Sequence, residues 1–189
     1  VSYRKAIELK PDFAEAHSNL GCILEDLKKT KEAELATLKS IQINPKHAPA
    51  YTTLGSIMIR LGKLKEAQIS TLKAIELDNK DALAYGNLAS IFICLGKLQE
   101  AEIAIRKAIE IKPDLAQAHI KLGEILFDLG KTKESTISEW HAIKINPSYE
   151  FVKSYRENAR LINKTAFYIY SYTIFNHFRP ILEINPNIF

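Results

Sequence analysis

Residues 61–114 read LGKLKEAQISTLKAIELDNKDALAYGNLASIFICLGKLQEAEIAIRKAIEIKPD. LGKL at 61–64 returns at 95–98, and KAIE at 73–76 returns at 107–110, both after 34 residues. Self-similarity at a fixed period of this size marks a repeat array, in which each unit buries its apolar face only against its neighbours.

Working outward, Pro11, Pro45, Pro113 and Pro147 stand on the same 34-residue grid, with Asn79 in the remaining slot. Proline restricts the residue before it and cannot continue a helical hydrogen-bond ladder, so each marks a helix stop. Between these stops a second break carries Gly62, Gly96 and Gly130, with Lys28 in the first unit. Glycine accepts the left-handed conformation that ends a helix. The grid predicts four units, 14–47, 48–81, 82–115 and 116–149, each a pair of helices. Their turns should fall near 29–31, 62–63, 96–97 and 130–131, with no strand before residue 145. Residues 1–13 hold the second helix of a unit whose first helix is absent, so the chain reads as a piece of a longer array.

The slots inside each unit predict the packing. Leu20, Leu54, Leu88 and Leu122 are apolar anchors, and Gly21, Gly55, Ala89 and Gly123 follow them. A mid-helix glycine costs about 1 kcal/mol against alanine, so its recurrence implies a neighbouring helix in close approach. On the second helix Ala33, Ala67, Ala101 and Ser135 are small in one slot, and Ser40, Ala74, Ala108 and Ala142 in another. Small residues facing small residues predict closely packed antiparallel pairs. Ile41, Ile75, Ile109 and Ile143 are placed to fill the space between units.

Composition narrows the function classes. The 189 residues are 47% hydrophobic and 25% charged, as in an ordinary folded chain. The net charge of +4 is spread along the chain, with no basic stripe of the kind nucleic-acid binders carry, so no nucleic acid is expected. Cys22 and Cys94 form no metal or redox pair, which suits a reducing, cytoplasmic compartment. The longest apolar run, 166–175, is far below the roughly 20 residues of a spanning helix, so no membrane is expected. His47, His141 and His177 have no cysteine or carboxylate at ligand spacing, and His17 and His119 share a packing slot with Tyr51 and Tyr85. No phosphate loop or nucleophile elbow appears. The chain is expected to have no catalytic residues, no metal and no cofactor.

Beyond the grid, residues 150–165 are predicted to form a capping helix, with Phe151, Tyr155, Asn158 and Ile162 on one face. Residues 166–189 form an aromatic tail, in which six of the thirteen residues 166–178 are aromatic. That stretch reads as the first strand of a downstream domain, as an aromatic helix against the cap, or as disordered chain. The uncovered ends predict end-to-end self-association.

LG in the first helix, alanine in the second, alanine seven residues later and proline at the turn together resemble the tetratricopeptide repeat family, over residues 1–149. The wording of these repeats is most similar to that of O-linked N-acetylglucosamine transferases and bacterial multi-repeat proteins. Asn79 departs from the pattern, as do Thr37, Thr71 and Glu139 where a large apolar residue is usual; Ile105 stands in the same slot. The resemblance implies an all-α, right-handed superhelical solenoid of antiparallel helix pairs, with the first helices lining a concave groove. It implies a protein or peptide partner.

The groove residues it points to are Asn19, Thr53, Ile59, Arg60, Leu83, Asn87, Ile93, Ile120, Lys121 and Phe127. Ile59, Leu83, Ile93, Ile120 and Phe127 are expected to form an apolar contact strip. Asn19 and Asn87 would hold the peptide backbone, as in the transferase-type repeats, although Thr53 and Lys121 break that ladder. Arg60 and Lys121 would attract acidic flanks, and Glu25 and Asp26 would make one end of the groove acidic. The expected function is a non-catalytic interaction scaffold. The alternative is the substrate-recognition arm of a larger enzyme, a glycosyltransferase for instance, whose catalytic domain follows residue 165.

Overall fold

The computed structural model describes residues 2–147. They form α1 (Ser2–Leu9), α2 (Ala14–Asp26), α3 (Thr30–Ile43), α4 (Ala48–Arg60), α5 (Leu64–Leu77), α6 (Ala82–Cys94), α7 (Leu98–Ile111), α8 (Ala116–Asp128) and α9 (Thr132–Ile145), with no strand among the described residues. These helices belong to one compact unit, Val1–Ile145. The predicted cap and aromatic tail lie outside the described residues.

The expected all-α solenoid is what these residues form. α2 packs on α3, α4 on α5, α6 on α7 and α8 on α9, and each pair packs on the next. The stops are physical as well as positional. Asn44 and Lys112, each before a proline, are extended at φ −133°. Asp78 adopts the same geometry at φ −143° without a proline, and its Oδ1 accepts from Lys80 N at 2.9 Å in a side-chain turn. Residues of the His17 slot tie the next helix back to the turns at Pro11, Pro45 and Pro113. His17 Nε2 lies 2.9 Å from the Pro11 carbonyl and His119 Nε2 2.9 Å from that of Pro113, and Tyr51 Oη donates to the Pro45 carbonyl at 3.2 Å. The slot expected to serve packing is also a polar tether.

The breaks inside each pair share one hydrogen-bond pattern. Lys29 N donates to the Leu24 carbonyl, and Lys63, Lys97 and Lys131 repeat the bond to Met58, Phe92 and Leu126. This closure requires a left-handed residue just past the helix end. Gly62, Gly96 and Gly130 supply it at φ 71°, 71° and 76°, and Lys28 supplies it at φ 59°. For a residue with a Cβ this conformation costs roughly 1–2 kcal/mol. Lys28→Gly should therefore raise the stability of the first unit by about 0.5–1 kcal/mol, after the larger entropy glycine loses on folding. The denaturant midpoint checks it, and an unchanged or lower midpoint refutes it.

The recurring glycines are explained by contact. A Cβ on Gly21 would collide with Thr37 Oγ1, one on Gly55 would stand 2.5 Å from Thr71 Oγ1, and one on Gly123 would stand 2.9 Å from Glu139 Cγ. Thr37 and Thr71 therefore replace the larger side chain of this slot, and their hydroxyls are buried without a hydrogen-bond partner among the described residues. In the third unit Ala89 faces Ile105 instead, and both are buried.

The core is spread along the array. One apolar cluster joins Leu24, Leu54, Ile57, Met58 and Ile91, and a second joins Ala101, Ile105, Leu122, Ile125 and Leu126. An ionic clasp holds the last two pairs together. Glu102 accepts from Lys131 Nζ at 2.8 Å and from Arg106, and Arg106 also reaches Glu134 at 3.1 Å. The Lys131 bond, with Arg106 behind it, holds the Glu102 carboxyl below the usual carboxylate range despite partial burial.

Candidate functional site

The inner faces of α2, α4, α6 and α8 enclose a hollow of about 270 Å³. Much of its wall is built from short side chains. Ala82, Gly86 and Ser90 lie along α6, Thr52 and Ser56 on α4, and Ala118 on α8. The space reaches down to Ile105 on α7. Asp81 sets the position of α6. Its carboxylate caps the helix, accepting from Leu83 N at 2.9 Å and Ala84 N at 3.0 Å, and it also accepts from Thr52 Oγ1 on α4.

Charge is distributed unevenly around the hollow. Glu25 and Asp26 line one end. Glu25 is engaged within the protein: it accepts from Ser56 Oγ at 3.2 Å and pairs with Arg60, whose Nη1 also donates to the Glu25 carbonyl at 2.8 Å. Cys22 sits beside them. Burial, then the neighbouring Asp26 and Glu25, push its thiol up, which keeps it a poor nucleophile. Lys121 lines the other end and donates to Ser90 Oγ at 2.6 Å. Burial lowers the pKa of this amine, partly offset by the nearby Glu124 carboxylate.

The hollow brings together four of the residues expected from the sequence: Thr53, Leu83, Asn87 and Lys121. Leu83 is 59% exposed. Asn19 is exposed on α2 but does not line the hollow. Phe127 is also exposed and also lies outside it.

The expected apolar strip is corrected by the structure. Ile120 is 5% exposed and belongs to the interior. Ile59 packs on the cluster of Leu54, Ile57 and Met58, and Ile93 on that of Ile105 and Ile125. The helices turn these side chains toward the seams between units, and the hollow is lined by other apolar residues together with a few small polar ones. Two polar assignments also change. Asn87 Nδ2 donates to the Thr52 carbonyl at 2.9 Å, so it joins one unit to the preceding one. Arg60 is held by Glu25 and does not stand ready for an acidic flank. Ala82, Ala118, Ile105 and Leu115 also line the hollow and were not anticipated. The recurring alanines at 14, 48, 82 and 116, and at 16, 50, 84 and 118, were the available signal for two of them.

A second surface has a regular character. Leu35, Ile69, Ile103 and Ile137 are exposed aliphatic residues in one slot, one on each of α3, α5, α7 and α9. Among the described residues no cluster of three His, Cys, Asp or Glu side chains could hold a metal ion, and no helix is long and apolar enough to cross a membrane.

Comparison with known proteins gives a consistent picture of the fold. A tetratricopeptide repeat model matches residues 2–35 and 36–69, and a second tetratricopeptide repeat model matches residues 82–115, together more than half of the chain. The crystal structure of a thermophilic TPR protein from Thermus thermophilus is similar at a TM-score of 0.74 and 18% identity, covering 84% of this chain and 87% of that one. YrrB, described as a TPR protein with an unusual peptide-binding site, is similar at 0.61 and 19%, covering 84% and 85%. An O-GlcNAc transferase mutant from Thermobaculum terrenum is similar at 0.58 and 23%, covering 60% of this chain and 22% of that one. Identities this low speak to the fold. No curated protein matches the sequence.

Proposed function

Because the chain belongs to the tetratricopeptide repeat family, we propose that it is an interaction scaffold that holds a peptide segment of a partner protein in the hollow between α2, α4, α6 and α8. The observation that carries this reading is Gly86. It lies in the middle of α6, where glycine is about 1 kcal/mol worse than alanine. A Cβ there would meet nothing within 4 Å, and its φ is not left-handed. Gly21, Gly55 and Gly123 each make room for a neighbouring side chain, whereas Gly86 makes room only in the hollow. A concave, largely apolar space with a few convergent polar groups is the form that ligand sites take. The reading assigns binding, and no reaction, to these residues. YrrB, with its peptide-binding site, supports it by analogy of fold.

Gly86→Phe tests it. The new ring has free space in the hollow and removes the glycine penalty, so the melting temperature should be unchanged or higher. Peptides selected on the immobilised wild-type protein from a random display library should bind this variant at least about tenfold more weakly, the equivalent of about 1.4 kcal/mol. The pair Ile69→Glu and Ile103→Glu, on the outer stripe, should leave binding intact. Binding that survives Gly86→Phe but is lost with the outer pair would move the function to the exposed faces of α5 and α7.

The transferase match favours a second reading, in which these repeats are the recognition arm of a larger enzyme; the matched portion is 22% of that protein. The sequence of the complete reading frame decides between the two.

A further inference from the structure

Away from the hollow, a crevice of about 450 Å³ between α7, α8 and α9 is lined by His119 and His141. Their rings meet edge to face, with centroids 5.5 Å apart and planes at 64°. His119 is 8% exposed, and its Nε2 lies 2.9 Å from the Pro113 carbonyl. A carbonyl oxygen only accepts, so Nε2 carries the ring hydrogen and Nδ1 of the neutral ring is a bare lone pair. Nδ1 is buried and has no hydrogen-bond partner among the described residues. A buried acceptor left in this state costs free energy unless something takes its lone pair. The pairing is particular to this unit. The slot of His119 holds His17, Tyr51 and Tyr85 in the other units, and that of His141 holds Lys39, Lys73 and Lys107. In the fourth unit both slots depart together, and imidazole stands beside imidazole.

We propose that His119, through Nδ1, and His141 together bind a divalent transition-metal ion of the zinc and copper class, with water completing the coordination. A ring nitrogen held by a backbone carbonyl is the state in which histidines ligate metals, because that bond fixes the tautomer and the ring orientation. Imidazole suits zinc and copper, whereas magnesium and calcium take oxygen ligands. Two rings that share one ion through bonds of about 2.0–2.1 Å have centroids about 5–6 Å apart, a range that includes the observed 5.5 Å. His141 is exposed, so its ring can turn a nitrogen toward the ion. The charges of the crevice do not repel a cation. Its one guanidinium, Arg106, is taken up by Glu102 and Glu134, and Glu110 and Glu134 both line the space. The ion ties α8 to α9, the two helices of the fourth unit, and this role is independent of what the hollow binds.

The test is calorimetric titration of the metal-stripped, tag-free chain with zinc chloride. Wild type should take up one ion per chain at this site. His141→Lys restores the residue of the other units, and His119→Tyr that of the second and third. Each should weaken zinc binding at least about tenfold, since loss of even an outer-shell partner costs that much. His141→Lys alters an exposed position and should leave the metal-free melting temperature unchanged. Zinc should raise the melting temperature of wild type, because the folded pair alone presents both rings, and should not raise that of His141→Lys. With copper(II) in place of zinc, electron paramagnetic resonance should show two imidazole nitrogens on the ion in wild type, a signature that His141→Lys loses. Zinc affinity unchanged in His141→Lys would place the ion elsewhere in the chain and overturn the proposal, whether or not His119→Tyr folds. Wild type that takes up no zinc at millimolar concentration would reduce the two rings to an aromatic contact and overturn it as well. Equal uptake of magnesium would do the same, since that ion does not seek imidazole.

Discussion

Replacing Ile91 by alanine should lower stability by about 2–5 kcal/mol, while the same change at Ile23 should cost less than about 1 kcal/mol. The two residues occupy one slot of the repeat, 68 positions apart. Ile91 is 0% exposed and lies in the cluster formed with Leu54, Ile57 and Met58 of the preceding unit. Ile23 is 43% exposed, and among the described residues the short α1 is the one element that packs on α2 from the N-terminal side. The lost transfer energy and the cavity left behind scale with burial, so the difference isolates what a neighbouring unit contributes. Urea unfolding followed by circular dichroism measures it. Equal losses at the two positions would mean that stability resides within units and not between them. Because such an array unfolds by nearest neighbours, the Ile91 change should melt α6 and its neighbours before the ends.

Ala101→Leu should be damaging in the opposite sense, by overfilling. Ala101 is fully buried between α6 and α7, like Ala33 and Ala67 in the same slot. The branched side chain has no space there, and overpacking of this kind costs about 1–3 kcal/mol. Ala104, a turn away, is buried in the same cluster, so the helix cannot rotate to relieve the clash without exposing it. A denaturant midpoint equal to that of wild type would show that the pair separates more easily than its packing implies.

Much of this architecture was legible in the residues. The 34-residue grid placed the helix stops, and the turns at 61–63, 95–97 and 129–131 lie on the predicted breaks. The first break falls at 27–29, slightly earlier than expected, because the left-handed position is Lys28 itself. Gly21, Gly55 and Gly123 were readable as contact glycines since local helix energetics oppose them and only a neighbour explains them. Glu25 and Asp26, expected to make one end of the groove acidic, both line the hollow.

The contact strip was not. Periodicity says which residues share a helical face, but that face is wider than the part of it left uncovered. Ile59, Ile93 and Ile120 lie on the inner helices as expected, yet Ile120 is buried and Ile59 and Ile93 are partly covered by packing on the core clusters. Polar roles were decided at still longer range. Asn87 spends its amide on the Thr52 carbonyl, and Arg60 its guanidinium on Glu25, both 35 residues away in sequence. Local sequence determined the helices, their ends and the pairs they form, because those depend on backbone conformation and contacts within one period. The assembled units decided which inner residues stay open, because that depends on how closely successive pairs approach. At Gly86 the approach leaves space that no residue of the described chain fills.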